Sequence, residues 1–551
     1  MNNILERKAI FGILFSVLIV SLFWQLGSWG VTESSEARYA EISREMLETK
    51  HWLMPQYLQI LHFDKPLMTY WITAAGLKIF GNNAFGVRFF LQIAYLLQIF
   101  LVFKITRELF ENKNLATYAA IIYCGIPLVL ISIRNLTTDA YLNTFSLLAI
   151  LCYIKYYKHS EKTWLYLFFT AIGLTIFTKG PFGVLLPLLA IYPIKQLLKP
   201  LKDNTSLKIK NIHIFLGIFL SIIIGGWWFF YLLMSSPEFY NFLIIEQLIN
   251  RVTNAQAMKR SETIGYYFIL LPLFILPMFS LFSGSLNRYL RQEAGGLKWL
   301  IVMTIIVPLL LFSISSSKLI LYILPISPFI AIISAHYLYN LDPEKVKKHF
   351  TYIFSIYSLI TIAIVLLCFN LIPKIDYQAS FQQYILIILL LLYISSVSYM
   401  LKNFKHKVLF LFLITPIFII PFSSDVMKKM ELNINSLTPL NNFIKNKDLE
   451  NQHIIIWNRA VNSISFELQK EVYSVKFEHY SLFRNTKFQH DLNWKKHLID
   501  VKNKDELPYL KILLASPSIF ITRDSIPREY LWLLEPYQHQ TAFGKWILYY
   551  K

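Results

Sequence analysis

Apolar stretches of about twenty residues recur through this chain from about residue 9 to about residue 424 and then stop. Each is close to the length a helix needs to cross a bilayer. They fall at about 9–29, 86–103, 115–133, 139–157, 163–178, 181–198, 212–233, 264–282, 299–314, 319–338, 350–372, 382–401 and 408–424, which makes about thirteen crossings. Lipid offers no partner to an unpaired backbone group, so such a chain folds as a polytopic α-helical membrane protein. Composition agrees: 55% of the 551 residues are hydrophobic and 16% are charged, well short of the quarter usual in soluble domains.

The formal charge of +20 raises the question of nucleic acid. The cations do not form one basic stripe but sit in short loops between apolar runs, where they set membrane orientation and meet anionic lipid. Nucleic acid is thereby excluded as a partner. With a cytoplasmic N-terminus, the inside loops hold clusters such as Lys104, Arg107 and Lys113, or Lys345, Lys347 and Lys348. The outside turns hold single cations: Arg134, Lys179, Lys318 and Lys374. The first apolar run is too long for a cleaved signal and lacks a small-x-small site after it, so it reads as an uncleaved helix. The stretch 67–80 is short and interrupted by Lys78; counting it as a crossing would reverse every later loop, so it reads as a helix along the outer interface with Tyr70 and Trp71 at headgroup level.

An odd number of crossings leaves the C-terminus outside. The chain therefore divides into a membrane domain, 1–424, whose first outer loop spans 30–85, and a soluble outer domain, 425–551. In the latter, His453–Trp457, Val472–Val475, Ser518–Thr522 and Trp546–Tyr550 read as strands, with a helix near 437–448, which predicts a small α/β domain. Cys124, Cys152 and Cys368 all lie in apolar runs, so no disulfide framework or thiolate metal site is indicated.

Ionisable residues near the membrane are costly and need a reason, and here they gather on the outer side. The first loop carries Glu33 and Glu36, then a helix over about 36–49 with Ser34 or Ser35 as N-cap. On this helix Arg38, Glu41, Glu45 and Glu48 share one face, and Tyr39, Ile42 and Met46 another. His62, Asp64 and Lys65 follow in the same loop. Asp139 opens the fourth crossing, Lys179 closes the fifth, and Glu246, Arg251, Lys259 and Arg260 occupy a later outer loop. Lys318, with Tyr322 and Pro325 behind it, begins the tenth crossing. Carboxylates and cations together at a membrane surface suit an anionic lipid headgroup: Lys and Arg hold a phosphate and stabilise its departure, and a carboxylate takes the proton of an incoming hydroxyl. Each also has a plainer reading. The helix face is solvated, Lys179 and Lys318 snorkel, Asp139 complements a helix dipole, and His51 and His62 are structural.

The run Ser35-Glu-Ala-Arg-Tyr-Ala-Glu-Ile-Ser-Arg-Glu-Met-Leu47, with His51-Trp52, Pro55, Phe63-Asp-Lys-Pro66 and Tyr70-Trp71, resembles the first periplasmic loop of bacterial GT-C glycosyltransferases. The relatives are the lipid A aminoarabinose transferases and the dolichyl-phosphate-mannose–protein mannosyltransferase-like proteins. Phe80-Gly81, Val87-Arg88, Thr138-Asp139, Thr178-Lys-Gly-Pro181 and Ser317-Lys318 through Tyr322 and Pro325 continue the likeness over about residues 1–340. It implies a bacterial inner-membrane enzyme that moves a sugar from a polyprenyl-phosphate carrier to a periplasmic acceptor (lipid A, another glycan or a protein hydroxyl), with inversion at the anomeric carbon. No Gly-rich nucleotide loop is present, in keeping with a lipid-linked donor. The family usually carries Asp where this chain has Ser35, which leaves Glu33, Glu36 and Asp139 as alternative catalytic carboxylates. Arg38, Tyr39, Asp64, Lys65, Lys179, Glu246, Arg251, Arg260, Lys318 and Tyr322 would bind substrate. The resemblance also leaves room for a divalent ion near His62 and Asp64, although two ligands do not define a site. The rival reading, a flippase for lipid-linked sugars, expects charge at mid-membrane on broken helices and repeated halves; the middles of these crossings are nearly free of charge and no repeat is evident.

Overall fold

The computed structural model describes residues 2–199, 210–235, 238–249, 262–291, 295–315, 317–373, 375, 377–478, 483–489 and 491–551. Its first eight helices are α1 (Asn2–Phe23), α2 (Ser35–Thr49), α3 (Met68–Phe80), α4 (Ala84–Phe110), α5 (Lys113–Cys124), α6 (Pro127–Ser132), α7 (Thr138–His159) and α8 (Lys162–Lys179). Among the described residues, eight helices are long and apolar enough to cross a membrane. They are Ala84–Phe110, Pro181–Leu198, Asn211–Ser235, Gly296–Ile314, Ile320–Tyr339, Pro343–Cys368, Phe381–Met400 and Phe404–Lys429. A ninth joins them if Tyr266–Phe274 and Leu276–Leu290, bent by 86°, form one span. The chain is a multi-pass membrane protein.

Four of the thirteen apolar runs fall outside this count: α1, whose apolar part is Gly12–Phe23, the run 115–133, α7 and α8. Gly125 and Pro127 break the segment 115–133 into α5 and α6. α7 and α8 are 22 and 18 residues long, but their inward faces carry buried polar residues, among them Asn143, Thr144, Ser146, Thr175 and Thr178. α3, at 13 residues, spans only about 20 Å and is too short to cross. Tyr70 is buried against α2: its backbone carbonyl accepts a bond from Ser43 Oγ of α2 at 3.1 Å, and Tyr39 covers its ring.

The C-terminal part is an α/β domain. Its strands are β3 (His453–Trp457), β4 (Val472–Lys476), β5 (Leu498–Asp500), β6 (Ser518–Thr522), β7 (His539–Phe543) and β8 (Trp546–Tyr550), after a small hairpin, β1 (Gln56–Tyr57) and β2 (Ile60–Leu61), in the first outer loop. The six strands run in the order β5-β4-β3-β6-β8-β7. β3 to β6 are parallel to one another and β8 and β7 antiparallel. The central β3 reads His-Ile-Ile-Ile-Trp, apolar on both faces as a covered parallel strand must be. Ile454 and Ile456 join the core shared with the membrane domain, while Ile455 and Trp457 pack beneath Leu510, Leu513 and Leu514 of the helix Leu507–Ala515. One face of the sheet thus packs against that helix, and the other joins the larger core together with the helices Thr438–Asn446 and Asn462–Leu468.

The link between the domains is polar and close. Gly30 N donates to Glu431 Oε1 at 2.8 Å, and Val31 N to Glu467 Oε1 at 3.3 Å. Thr32 pairs with Ser436 in an isolated β-bridge. A Cβ on Gly30 would lie 1.8 Å from Thr438 Oγ1 and 2.2 Å from Glu467 Oε1. Gly30→Ala is therefore expected to prise the domains apart at a cost of about 1–3 kcal/mol. Thermal unfolding in detergent checks this, with an unchanged midpoint as the contrary result.

Candidate functional site

Most of α2 is buried, contrary to the solvated face read from its periodicity. α3 packs on one side of it and the helix Asn462–Leu468 of the C-terminal domain, here the docking helix, on the other. The covering partner comes from more than 400 positions away (Ser35 to Asn462), so local spacing could not reveal it. Arg44 donates to Glu41 at 2.8 Å through both Nε and Nη2, and its Nη1 also reaches Glu48. Glu45 accepts a bond from Leu58 N at 3.2 Å, and burial pushes its carboxyl well above the usual range. Ser34 stands at the N-cap without a side-chain bond.

Three sequence-predicted residues, Asp139, Lys179 and Tyr322, meet on the outer side of α7 and α8. These helices are antiparallel neighbours, so the start of one and the end of the other share a level. Asp139 lies in the first turn of α7 and Lys179 in the last turn of α8, each where its charge complements the helix dipole. Their side chains form an ion pair. Gly180, with φ of 78°, ends α8 directly after Lys179 in a conformation that needs glycine. Lys179 Nζ also lies 4.4 Å from the ring centroid of Tyr322. Burial raises the Tyr39 phenol; Arg38 opposes the rise, and Asp139, Asp64 and Tyr322 add to it. Arg38, Tyr39, Asp64, Asp139, Lys179 and Tyr322 therefore share one electrostatic neighbourhood.

Arg38 supplies a second cation beside Lys179. Burial works against the guanidinium charge, but Asp64, Tyr39, Tyr70 and Glu33 outweigh burial and hold its pKa above the ordinary value. Among the described residues Arg38 makes no ion pair. Lys65 adjoins Asp64 on the loop that follows β2. Lys179 and Tyr322 themselves line a small apolar fissure between helices, together with Phe182, Leu186, Pro308 and Phe312. A cation lining an apolar slot fits an amphiphile with an anionic head.

Other candidates are engaged elsewhere. Glu36 is fully buried: its oxygens accept from Arg88 Nε and Nη2 at 2.8 and 2.7 Å, from Thr32 N and Oγ1, and from Leu136 N. Glu33 accepts from Ser463 N at 2.6 Å and Asn462 Nδ2 at 3.1 Å, and burial raises its pKa despite these bonds. Glu246 pairs with Lys487 of the C-terminal domain. Lys318 donates to the Glu262 carbonyl at 2.8 Å, with Tyr267 bonded to the neighbouring Leu319 carbonyl at 3.0 Å. Arg251, Lys259 and Arg260 lie outside the described residues. His62 Nε2 is 3.6 Å from Asp64 Oδ2, but among the described residues no group of three His, Cys, Asp or Glu side chains could hold a metal ion. The pair falls short of the three protein ligands of a catalytic zinc.

Sequence reasoning missed the anchors of this arrangement. Arg88 stood out only as half of a Val-Arg motif, yet it is wholly buried. Beneath Asp139, Gln98 Nε2 donates to the Ala140 carbonyl at 2.8 Å and Tyr123 Oη to Gln98 Oε1 at 2.6 Å, with Asn143 joining both. Glutamine and asparagine inside apolar runs were the available signal.

Residues 64–229, which include Asp139 and Lys179, match the family model described as dolichyl-phosphate-mannose-protein mannosyltransferase. The crystal structure of ArnT from Cupriavidus metallidurans bound to undecaprenyl phosphate aligns with a TM-score of 0.78, covering 98% of each chain at 18% identity. The chain has the GT-C fold of ArnT. The apo form of the same protein aligns with this GT-C chain at a TM-score of 0.77 and 18% identity, over 99% of this chain and 98% of that one. Among curated relatives, the undecaprenyl phosphate-alpha-4-amino-4-deoxy-L-arabinose arabinosyl transferase of Yersinia pestis (strain Pestoides F) is 29% identical over 338 residues, 60% of this chain and 58% of its own length. The arabinosyl transferase 2 of Proteus mirabilis (strain HI4320) is 27% identical over 61% of this chain and 60% of its own length. The GT-C chain thus matches less than two thirds of the length of these relatives. The resemblance read from the first outer loop is borne out.

Proposed function

We propose that this GT-C chain transfers a sugar from a polyprenyl-phosphate carrier to an acceptor at the outer face of the membrane. The observation that carries the reading is the Lys179–Asp139 pair, whose lysine lines an apolar fissure. The polyprenyl tail would lie in the fissure, with the phosphate at Lys179 and Arg38. An acceptor hydroxyl attacks the anomeric carbon as the bond from that carbon to the phosphate oxygen breaks. The phosphate leaves with the electron pair and its charge is held by the cations. The proton of the hydroxyl passes to the Asp139 carboxylate. Glu33 and Glu36, whose oxygens are occupied, are assigned to holding the loop. Relatives named as undecaprenyl phosphate-alpha-4-amino-4-deoxy-L-arabinose arabinosyl transferases support that donor class, and lipid A is the acceptor to test first.

The test uses the purified full-length chain with undecaprenyl-phosphate-linked 4-amino-4-deoxy-arabinose and lipid A. The expected result is a glycosylated acceptor and free undecaprenyl phosphate, both seen by mass spectrometry. Donor that crosses a vesicle membrane with its sugar intact would establish the transport reading instead. Arg38→Ala is expected to weaken undecaprenyl-phosphate binding by about 10- to 100-fold, the value of one or two hydrogen bonds to a charged group. Native mass spectrometry of the detergent-solubilised variant measures it, and undiminished binding would remove Arg38 from the phosphate site.

A further inference from the structure

We infer that Glu33 is a positioning residue through which the C-terminal domain sets the place of Arg38 and Tyr39. The inference rests on the sugar-transfer reading of the site and assigns the outer domain a part in it.

The local bonding leaves little freedom. The amides of residues 30 to 33 are all taken. Gly30 donates to Glu431, Val31 to Glu467, Thr32 to Glu36, and Glu33 to the Asn435 carbonyl at 2.9 Å. Three of those four acceptors belong to the C-terminal part of the chain. The Glu33 carboxylate adds two more bonds in the same direction, to Ser463 N and Asn462 Nδ2 at the start of the docking helix. α2 begins two residues later, and Arg38 and Tyr39 stand on its first turns. A shift of the docking helix is thus carried into α2 without slack.

The C-terminal domain holds the opposite wall as well. Lys487 pairs with Glu246, and the Phe488 ring lies 5.1 Å from Phe63, the residue before Asp64 and Lys65, and 5.2 Å from Phe242. The two grips bracket the pocket, one beside Arg38 and Tyr39 and the other beside Asp64 and Lys65. A general base must turn a lone pair toward the substrate, whereas the Glu33 oxygens face donors of the docking helix.

The experiment compares Glu33→Ala, Glu33→Gln, Asn462→Ala and the double variant Glu33→Ala/Asn462→Ala in the full-length chain. Two readouts are taken: transfer from undecaprenyl-phosphate-linked aminoarabinose, and hydrogen exchange of residues 35–49 without substrate. Glutamine keeps an acceptor for Ser463 N, so Glu33→Gln should stay within about threefold of wild type with its pH profile unchanged, while Glu33→Ala and Asn462→Ala each lose about tenfold or more. The double variant should lose no more than Glu33→Ala alone, because one linkage has been cut twice. Exchange of residues 35–49 should rise in Glu33→Ala. The inference is overturned if Glu33→Gln is as inactive as Glu33→Ala and loses a limb of the pH profile, the signature of a proton acceptor. It is equally overturned if exchange in Glu33→Ala matches wild type. Should the wild-type chain transfer no sugar at all, the transfer reading fails, and the exchange result alone decides whether Glu33 ties α2 to the outer domain.

Discussion

Asp139→Asn is expected to lower kcat for sugar transfer by about 10³-fold while KM for the polyprenyl-phosphate donor stays within about threefold, since it removes an acceptor needed only as the hydroxyl loses its proton. The substitution is nearly isosteric, and the first turn of α7 does not depend on the charge: Thr137 Oγ1 accepts from Asp139 N at 3.4 Å, and the network of Gln98, Tyr123 and Asn143 holds the helix below. Lys179 loses its partner but remains fixed by the end of α8 and by the Tyr322 ring at 4.4 Å, so the phosphate retains its cation. Lys179→Ala should show the other pattern, a raised KM together with a lowered kcat, because a phosphate contact serves both ground state and departure. Steady-state kinetics on the two variants separates the roles. A wild-type kcat in Asp139→Asn would reduce Asp139 to an anchor for Lys179.

The legible parts of this molecule are those whose cause is local. Crossing-length apolar runs, basic inner loops and the apolar β3 all declare themselves within a few residues. β3, β6 and β8 lie where the sequence puts them, and β4 runs one residue further, to Lys476. β5 and β7 were not foreseen: one is three residues long and the other is a largely exposed edge strand, His-Gln-Thr-Ala-Phe, without an apolar pattern. Asp139 and Lys179 were legible because charges at the ends of apolar runs are conspicuous, and topology alone puts them on one side. The state of Glu33, Glu36 and Glu246 was not, since their partners are Asn462, Arg88 and Lys487, and nothing in the neighbouring sequence distinguishes a carboxylate that bonds a distant helix from one facing substrate. The burial of α2 belongs to the same class. Its charged face is consistent with solvent or with Arg44 held between Glu41 and Glu48, and only the docked C-terminal domain decides between them.

Arg88→Met is expected to destabilise the chain by about 3–5 kcal/mol, the usual cost of leaving one member of a buried ion pair behind. The guanidinium has five N–H groups, and the structure uses them all. Nε and one Nη2 proton go to Glu36, the other Nη2 proton to the Gly30 carbonyl at 2.8 Å, and the Nη1 protons to the carbonyls of Leu26 and Trp29 at 3.1 and 3.0 Å. One side chain on α4 thereby ties the segment after α1, the outer loop and the start of α2, with the Trp29 ring 4.3 Å from its central carbon. Methionine fills much of the volume but leaves Glu36 charged and buried and three carbonyls without donors. Arg88→Lys should recover little, because an ammonium has three protons on one atom and cannot span carbonyls arranged around a planar fork. Pairing Arg88→Met with Glu36→Gln removes the stranded charge but not the stranded carbonyls, so the double variant should regain part of the loss and remain below wild type. Thermal unfolding of the three variants in detergent measures the ordering: wild type, then the double variant, then Arg88→Lys and Arg88→Met. If Arg88→Met alone unfolds with the wild-type midpoint, the ion pair does not hold the loop, and the site must owe its shape to the C-terminal domain alone.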